Sequence, residues 1–316
     1  KDENVPEGYE KSVSSDGKTI TNKHTPGTTS LEVTKEWSDG NNQDGIRPGN
    51  LTLTLEKKAG EAGDWTEVTG KTPTVAKDDE TNTWTYSWSE LPAKEGGKTL
   101  SYRAVEKDEN VPEGYEKSVS SDGKTITNKH TPEVVSASIN KIWDDDNNRD
   151  NKRPDSIDVK LTAKVDGSEI TDLSKIATLK VANGWKASWD KLPKYHNGQL
   201  VEYSADEVNT PAGYTKSVNG DLAKGFTITN TYTPEKVQVS GSKNWNDDGN
   251  AAGTRPGSIT IRLYANGSEI DHKTVTEKDG WSWNWTGLNR YDTDHKEISY
   301  TISEDAVDGY TSSISG

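Results

Sequence analysis

The chain repeats itself at the scale of a whole domain. Residues 1–26 are identical to residues 107–132, and three Lys-x-Trp motifs are spaced by 106 and then 102 residues. The motifs are Lys35 with Trp37, Lys141 with Trp143, and Lys243 with Trp245. A spacing of this size fits one small domain per repeat. We predict domains at residues 27–132, 133–234 and 235–316, with residues 1–26 the C-terminal strands of a preceding repeat.

Both ends of the chain fall inside a repeat. The third repeat stops at Gly316, before its expected last strand, so we interpret the chain as part of a longer array. A rival interpretation is that residues 1–26 complete the third domain of a neighbouring molecule. However, Gly-Tyr pairs occur both at residues 8–9 and at residues 309–310. This overlap disfavours complementation between molecules.

Two alternating segments in each repeat predict β-strands. The first segment is apolar at every second position: Leu51/Leu53/Leu55, Ile157/Val159/Leu161 and Ile259/Ile261/Leu263. The second segment is mainly aromatic at every second position: Trp84/Tyr86/Trp88, Trp185/Ala187/Trp189 and Trp281/Trp283/Trp285. A period of two is that of a strand, and no segment longer than a turn has the helical period. Short strands between Gly, Asn, Asp and Pro turns predict an all-β fold with one β-sandwich per repeat. The inward period favours core packing over a sugar-binding platform for the tryptophans.

The lysine of each Lys-x-Trp motif lies on a strand face that should be buried. Lys35 shares its face with Val33 and Trp37, because every second side chain of a strand points the same way. The equivalent lysines are Lys141 and Lys243. An ammonium group buried without partners is very costly, so such a lysine loses its charge or finds compensation. A lysine kept neutral is a nucleophile.

Two further polar residues in the repeats occupy inward positions. Glutamate ends a Tyr-x-x-x-Glu strand at Glu106, Glu207 and Glu304, where the alternation selects Glu207 over its neighbour Asp206. Asparagine follows Ile-Thr at Asn128, Asn230 and, in the tail, Asn22. Each asparagine precedes the next lysine by 13 residues. This constant spacing predicts a short, fixed connector between domains.

Lysine, glutamate and a carboxamide within one apolar core form a reactive set. Burial favours the neutral amine and the protonated acid. The acid is expected to hydrogen-bond the asparagine carbonyl, while the amine attacks that carbon and glutamate shuttles protons as ammonia leaves. The product is an amide formed once per domain, so no enzymatic turnover is expected. A buried Lys–Glu ion pair hydrogen-bonded to asparagine fits the same pattern. The inward lysine and glutamate recur in all three repeats of a chain that has no cysteine for disulfides, and this recurrence favours the covalent interpretation.

These motifs together resemble the Cna-B-type domains of Gram-positive surface proteins, named for the B region of a collagen adhesin. The resemblance rests on the Lys-x-Trp start, the Tyr-x-x-x-Glu strand, the Gly-Tyr turn and the closing Ile-Thr-Asn. It implies tandem immunoglobulin-like sandwiches arranged as a rod, each with a Lys–Asn isopeptide bond promoted by an acid. The implied sets are Lys35, Asn128 and Glu106, and Lys141, Asn230 and Glu207. Lys243 and Glu304 lack an asparagine in this chain, and Asn22 lacks its lysine.

The same resemblance implies a structural function. We expect stalk repeats of a cell-wall-anchored surface adhesin or pilus-like fibre, located outside the cell and anchored through a region outside this fragment. The expected partners are adjacent repeats of the same chain and, through another region, host extracellular matrix. The alternative is that the repeats themselves bind host matrix or glycan. An exposed apolar or aromatic patch shared by all three domains would favour that alternative.

Composition argues against several other classes of protein. The net charge of −14 disfavours nucleic acid as a partner, since phosphate binding needs a basic surface. There is no run of about 18 apolar residues, so no membrane span is predicted in this fragment. The absence of cysteine excludes disulfides and zinc–thiolate sites. The acidic loop at residues 144–150 has Arg149 where a calcium loop needs glycine, which favours a solvated turn. We expect no cofactor and no metal.

Overall fold

The structure is a computed structural model that describes residues 4–316. Residues 1–3, the start of the predicted tail, lie outside the described residues. Strands dominate, and the helical segments of residues 4–316 are three short 3-10 turns at Asp108–Asn110, Val181–Asn183 and Glu277–Asp279. None of the described helical segments is long and apolar enough to cross a membrane.

Contacts divide the described chain into two compact units. The first contains the residues up to Val135 together with Val165–Gly167 and Lys191–Glu202. The second contains Ser136–Lys164, Ser168–Asp190 and Tyr203–Gly316. This division does not test the predicted domain boundaries, which stay predictions.

From residue 4 onward, the tail and the first repeat contain eleven strands. These are β1 (Tyr9–Val13), β2 (Ile20–His24), β3 (Thr28–Ser38), β4 (Thr54–Ala59), β5 (Thr66–Glu67), β6 (Thr74–Asp78), β7 (Thr83–Pro92), β8 (Lys94–Glu95), β9 (Lys98–Val105), β10 (Glu116–Val119) and β11 (Thr125–Lys129). The tail is an antiparallel β1–β2 hairpin. The repeat forms one sheet in the order β10-β11-β3-β7-β6 and another in the order β5-β4-β9-β8.

A single core fills the first repeat. Its apolar residues come from both sheets: Val33, Trp37, Leu53, Leu55, Trp84, Tyr86, Trp88, Leu91, Ala104, Tyr115 and Ile126. The aromatic residues of β7 thus point inward, as their period predicts. The strand predicted from Leu51 begins only at Thr54, although Leu51 still packs on the core.

The second repeat contains ten strands. These are β12 (Val134–Asp144), β13 (Ser156–Val165), β14 (Ser168–Glu169), β15 (Lys175–Lys180), β16 (Lys186–Pro193), β17 (Tyr195–His196), β18 (Gln199–Leu200), β19 (Glu202–Glu207), β20 (Thr215–Asp221) and β21 (Gly225–Thr231). One sheet has the order β16-β12-β21-β20, and in the other β13 pairs with both β15 and β19. Strands β17 and β18 form a short hairpin.

The third repeat contains five strands among the described residues. These are β22 (Lys236–Ser242), β23 (Ser258–Ala265), β24 (Ser268–Thr276), β25 (Ser282–Asn289) and β26 (Tyr300–Glu304). Strand β22 pairs with β25, and β23 lies between β24 and β26. Strand β22 ends at Ser242, so Lys243 lies one residue beyond the strand on which the sequence places it.

Parallel pairing of the first and last strands positions the candidate site. In the first repeat β11 runs parallel to β3, with Ile126 opposite Lys35 and Asn128 opposite Trp37. In the second repeat β21 pairs with β12 in the same register. Since side chains alternate between faces, the inward lysine and the inward asparagine project from neighbouring strands into one core.

Core packing on the closing strand is expected to hold this register. Ile228 on β21 is 0% exposed, whereas Ile176 on β15 is 65% exposed. We predict that Ile228→Ala lowers the free energy of unfolding of the second repeat by about 2–5 kcal/mol, because it leaves a cavity. The matched Ile176→Ala is expected to change it by less than about 0.5 kcal/mol. Hydrogen exchange of β12 and β21 peptides measures both, and equal losses would contradict the assigned register.

Candidate functional site

Three predicted polar residues meet in the core of the first repeat. Lys35, Glu106 and Asn128 are 0%, 1% and 0% exposed. Glu106 Oε2 lies 3.2 Å from Lys35 Nζ. Asn128 Nδ2 donates a hydrogen bond of 2.8 Å to Glu106 Oε1. One carboxylate therefore contacts both the amine and the carboxamide.

The second repeat builds the same arrangement from Lys141, Glu207 and Asn230, all buried. Asn230 Nδ2 donates to Glu207 Oε1 at 2.9 Å, and Lys141 Nζ lies 3.8 Å from that same oxygen. The lysine amine also donates to the carbonyl oxygen of Ile228 at 3.4 Å. Glu207 is buried and Asp206 is exposed, so the predicted choice between these neighbours is confirmed.

The remaining predicted site residues form incomplete sets. Lys243 Nζ lies 2.8 Å from Glu304 Oε2, and the two side chains are 16% and 6% exposed. This pair thus meets as predicted, with somewhat more solvent than its two counterparts. Asn22 lies on β2, where every residue is exposed, and makes no ion pair or buried contact among residues 4–316.

Burial changes the protonation of the two fully enclosed lysines. Removal from water lowers the pKa of Lys35 to about 8, although Glu106 opposes the shift. Burial likewise lowers the pKa of Lys141 to about 8 against the opposing charge of Glu207. At pH 7 about a tenth of such an amine is neutral, roughly 200-fold more than for an ordinary lysine. Both amines are therefore nucleophiles near neutral pH.

The amide orientation differs from the one expected from the sequence. From the sequence we expect the acid to donate a hydrogen bond to the asparagine carbonyl oxygen. In the structure, the Nδ2 group of Asn128 instead donates to Glu106. An ionised carboxylate only accepts hydrogen bonds, so it attracts the amide N–H groups. Asn128 Oδ1 has no hydrogen-bond partner among the described residues. Glutamate therefore faces the nitrogen that would leave as ammonia, rather than the carbonyl oxygen.

This geometry suits a proton carrier. In the first repeat, Glu106 Oε2 faces the amine of Lys35, which must lose protons on becoming an amide. Its Oε1 faces Asn128 Nδ2, which must gain a proton to leave as ammonia. A single carboxylate can therefore take a proton from the amine and pass it to the amide nitrogen.

An aspartate, buried in the first two repeats and half-buried in the third, organises the loop next to each site, and the sequence analysis did not identify it. Asp39 accepts hydrogen bonds from Arg47 Nε and Nη2 at 3.0 and 2.6 Å and from the Tyr115 hydroxyl at 2.7 Å. Burial raises the pKa of the Asp39 carboxyl, but hydrogen bonds from Arg47, Asn42 and Tyr115 outweigh it and hold the pKa below its usual value. The sequence analysis identified the Gly-Tyr turn, but nothing in the sequence connected Tyr115 with Asp39 or Arg47.

The same aspartate cluster recurs in the other repeats. The equivalent sets are Asp145 with Arg153 and Tyr214, and Asp247 with Arg255 and Tyr310. Asp145 belongs to the loop weighed above as a calcium site. Its oxygens are occupied by protein donors, which supports the interpretation as a turn. No group of three or more His, Asp or Glu side chains within residues 4–316 is placed to hold a metal ion.

A tryptophan joins this cluster to the lysine. Lys35 Nζ lies 4.9 Å and the Arg47 guanidinium carbon 5.7 Å from the centroid of the Trp37 ring. Trp84 packs edge-on against the same ring, with centroids 5.0 Å apart. The aromatic ring attracts the charged form of lysine, whereas burial favours the neutral form. Burial is the largest cause of the lowered pKa of Lys35.

The fold and the site together define a class of tandem all-β domains, each closed around a buried lysine and glutamate. Residues 31–129, 137–231 and 239–316 match the Cna protein B-type domain. The chain therefore belongs to the Cna B-type domain family and carries three tandem members of it. The predicted family and the predicted fold class are both confirmed.

Proteins similar to this chain include adhesins. A collagen adhesin of Staphylococcus aureus is 38% identical over 299 residues, which make up 94% of this chain and 23% of that protein. The chain thus spans less than a quarter of that relative's length. A crystal structure of two B repeat units of the collagen binding protein of Staphylococcus aureus is 33% identical in sequence to this chain. The match covers 97% of this chain and 76% of the chain in that structure, with a TM-score of 0.48. The pilus adhesin SpaC of Lactobacillus rhamnosus GG is 16% identical, covering 89% and 33% of the two chains with a TM-score of 0.33.

The lowered amine pKa predicts a distinctive titration. In Asn128→Ala, which cannot form an amide at this position, the Lys35 amine should titrate near pH 8. The unfolded chain binds this proton up to about pH 10.4, so the free energy of unfolding should rise with pH between about 8 and 10.4. Lysine side-chain NMR measures the midpoint, with the signal assigned by Lys35→Met. A midpoint at the ordinary value would contradict the electrostatic description.

Proposed function

We propose that these domains are structural stalk repeats of a surface adhesin or pilus-like fibre, each stabilised by a self-formed Lys–Asn amide. The observation that carries the proposal is the shared carboxylate: Glu106 contacts both the Lys35 amine and the Asn128 amide nitrogen. Glu207 does the same for Lys141 and Asn230. The chain would perform this reaction once in each domain and would not be an enzyme with turnover.

The proposed reaction is a transamidation. Glu106 takes a proton from the Lys35 ammonium, and the neutral amine attacks the side-chain carbonyl carbon of Asn128. The tetrahedral intermediate then expels the amide nitrogen, which leaves as ammonia after gaining that proton from Glu106, and Glu106 takes the second proton from the attacking nitrogen as it becomes an amide. One C–N bond forms and one breaks, and no oxidant or cofactor is needed. Fixing the amine and the amide in one core supplies much of the rate through effective concentration.

The proposed bond would join the first strand of a domain to its last. Such a link closes a loop of roughly 90 residues and stabilises the domain by about 4–5 kcal/mol on the chain-entropy estimate used for disulfides. When the chain is pulled from its ends, force would pass through the bond and bypass most of the domain. A series of such domains would resist extension and proteolysis, as a stalk requires.

The surface location is part of the proposal. A relative that is 38% identical over 94% of this chain is a collagen adhesin. We propose that this chain is likewise displayed outside the cell and anchored to the cell wall through a region outside this fragment. Adjacent repeats would be its immediate partners, and any contact with host matrix would belong to another region.

The alternative, that the repeats bind matrix or glycan themselves, requires a shared exposed patch. Within residues 4–316, only one position carries a large exposed apolar side chain in all three repeats. The three residues at this position are Val119, Val218 and Ile314. One such side chain per repeat is normal for a protein surface and does not make a patch. The structural role is therefore the better-supported function.

Intact-mass spectrometry tests the proposed bonds. We predict that the purified chain has lost two ammonia molecules relative to its sequence. The third lysine, Lys243, has no asparagine partner here and should contribute no loss. Glu106→Gln is expected to restore one ammonia, because proton transfer in the first repeat fails while the second repeat still reacts.

A neighbouring glutamate provides the control. Glu36 is adjacent to Lys35 in sequence but exposed. Glu36→Gln should therefore leave the loss of two ammonia molecules unchanged, after correction for the substitution itself. A mass equal to that of the plain sequence in the unsubstituted chain would leave only buried ion pairs and would refute the proposal.

A further inference from the structure

A buried carboxylate fastens the connector that follows the first repeat. The Asp44 side chain, 4% exposed, lies in the loop after β3. Asp44 Oδ2 accepts a hydrogen bond of 2.8 Å from the backbone N–H of Glu133. The same oxygen lies 2.9 Å from His130 Nε2. We call Asp44, His130 and the Glu133 amide the connector clamp; all three lie within the first compact unit.

The surroundings of His130 require a particular protonation state. Nε2 faces Asp44, and Nδ1 lies 2.9 Å from the carbonyl oxygen of Gly114. A carbonyl oxygen and an ionised carboxylate can only accept hydrogen bonds. A neutral imidazole has one N–H and can satisfy only one of them, whereas the imidazolium satisfies both. The complete clamp therefore contains a charged histidine.

The second repeat has the same clamp with a different donor. Asp150 accepts hydrogen bonds of 3.0 Å from the Tyr232 hydroxyl and 2.6 Å from the backbone N–H of Glu235. Tyr232 occupies the position of His130, and Asp150 that of Asp44. Burial, aided by the hydrogen bond to Asp150, raises the pKa of Tyr232 to about 12, so its hydroxyl keeps its proton throughout the physiological range. This chain thus carries a titrating version and a non-titrating version of one device.

We propose that the first connector is a pH-sensitive clamp, fastened when His130 is protonated and loosened when it is neutral, and that the second connector is its pH-insensitive counterpart. The clamp uses none of the Lys–Glu–Asn residues, so it is independent of the proposed cross-link.

The charges around His130 agree with this assignment. Burial lowers the pKa of His130, but the hydrogen bonds to Asp44 and Gly114 and the charges of Asp44 and Asp39 outweigh it, so the pKa lies above the usual value. Tyr115 is a further titratable group against the ring, and its ring centroid lies 5.5 Å away. Burial alone would raise the pKa of Asp44, yet its bonds to His130 and Glu133 hold it below the usual value.

These directions define the pH window. A raised histidine pKa stabilises the clamp below the unfolded value of about 6.5, and the gain is lost as pH rises through the folded pKa. A depressed aspartate pKa stabilises it above about 3.9, and that gain is lost as pH falls through the folded pKa. The clamp should therefore be firmest in mildly acid solution and should loosen as pH rises above the His130 midpoint.

Amide hydrogen exchange of the unsubstituted chain tests the proposal directly. The Glu133 amide reports on the first clamp and the Glu235 amide on the second. After correction for intrinsic exchange between about pH 5 and pH 8, protection of Glu133 should fall about tenfold or more, because a charge-assisted contact is lost. Protection of Glu235 should stay constant. Parallel pH dependence of the two amides would overturn the proposal.

Histidine NMR and two variants complete the test. The His130 midpoint should lie above the usual histidine value, and Asp44→Asn should lower it. His130→Tyr should make Glu133 protection as independent of pH as that of Glu235. A His130 midpoint that Asp44→Asn leaves unchanged would refute the clamp.

Discussion

The enclosure of a lysine amine and a glutamate in an apolar core is the constraint on which the rest of the molecule depends. An isolated ammonium group at that depth is too costly to keep. The structure compensates by placing Glu106 beside Lys35 and by lowering the lysine pKa to about 8. The same compensation creates reactivity, since it holds a partly neutral amine beside a carboxylate that also contacts an amide. Stability and proposed chemistry therefore have one origin.

Strand topology turns this local chemistry into a property of the whole domain. The lysine lies on the first strand, and the asparagine lies on the last, which pairs with it in parallel. A bond between these side chains would tie together the two places where force enters and leaves a domain. The loop after the first strand adds two further attachments. In the first repeat, Asp39 in this loop accepts hydrogen bonds from Arg47 and Tyr115. Asp44 in the same loop accepts one from the backbone N–H of Glu133 in the connector.

Much of the fold and of the site could be predicted because the strand period is unambiguous. Alternation alone placed Lys35, Glu106 and Asn128 inside and separated Glu207 from Asp206. What could not be predicted depends on which groups meet across the fold. The amide nitrogen of Asn128, rather than its oxygen, contacts Glu106. Asp39 accepts a hydrogen bond from Tyr115, which lies 76 residues later in the chain. Such contacts leave no periodic signal. Nor could the period show that β22 ends at Ser242.

Peptide mapping after exhaustive proteolysis of the denatured chain tests the central claim most directly. If the proposed amides form, we expect a branched peptide in which the segment containing Lys35 is joined to the segment containing Asn128. A second branched peptide should join the segments containing Lys141 and Asn230. Fragmentation should locate each link at those side chains. Recovery of all four segments as separate linear peptides would contradict the account and leave each domain held by packing and buried ion pairs.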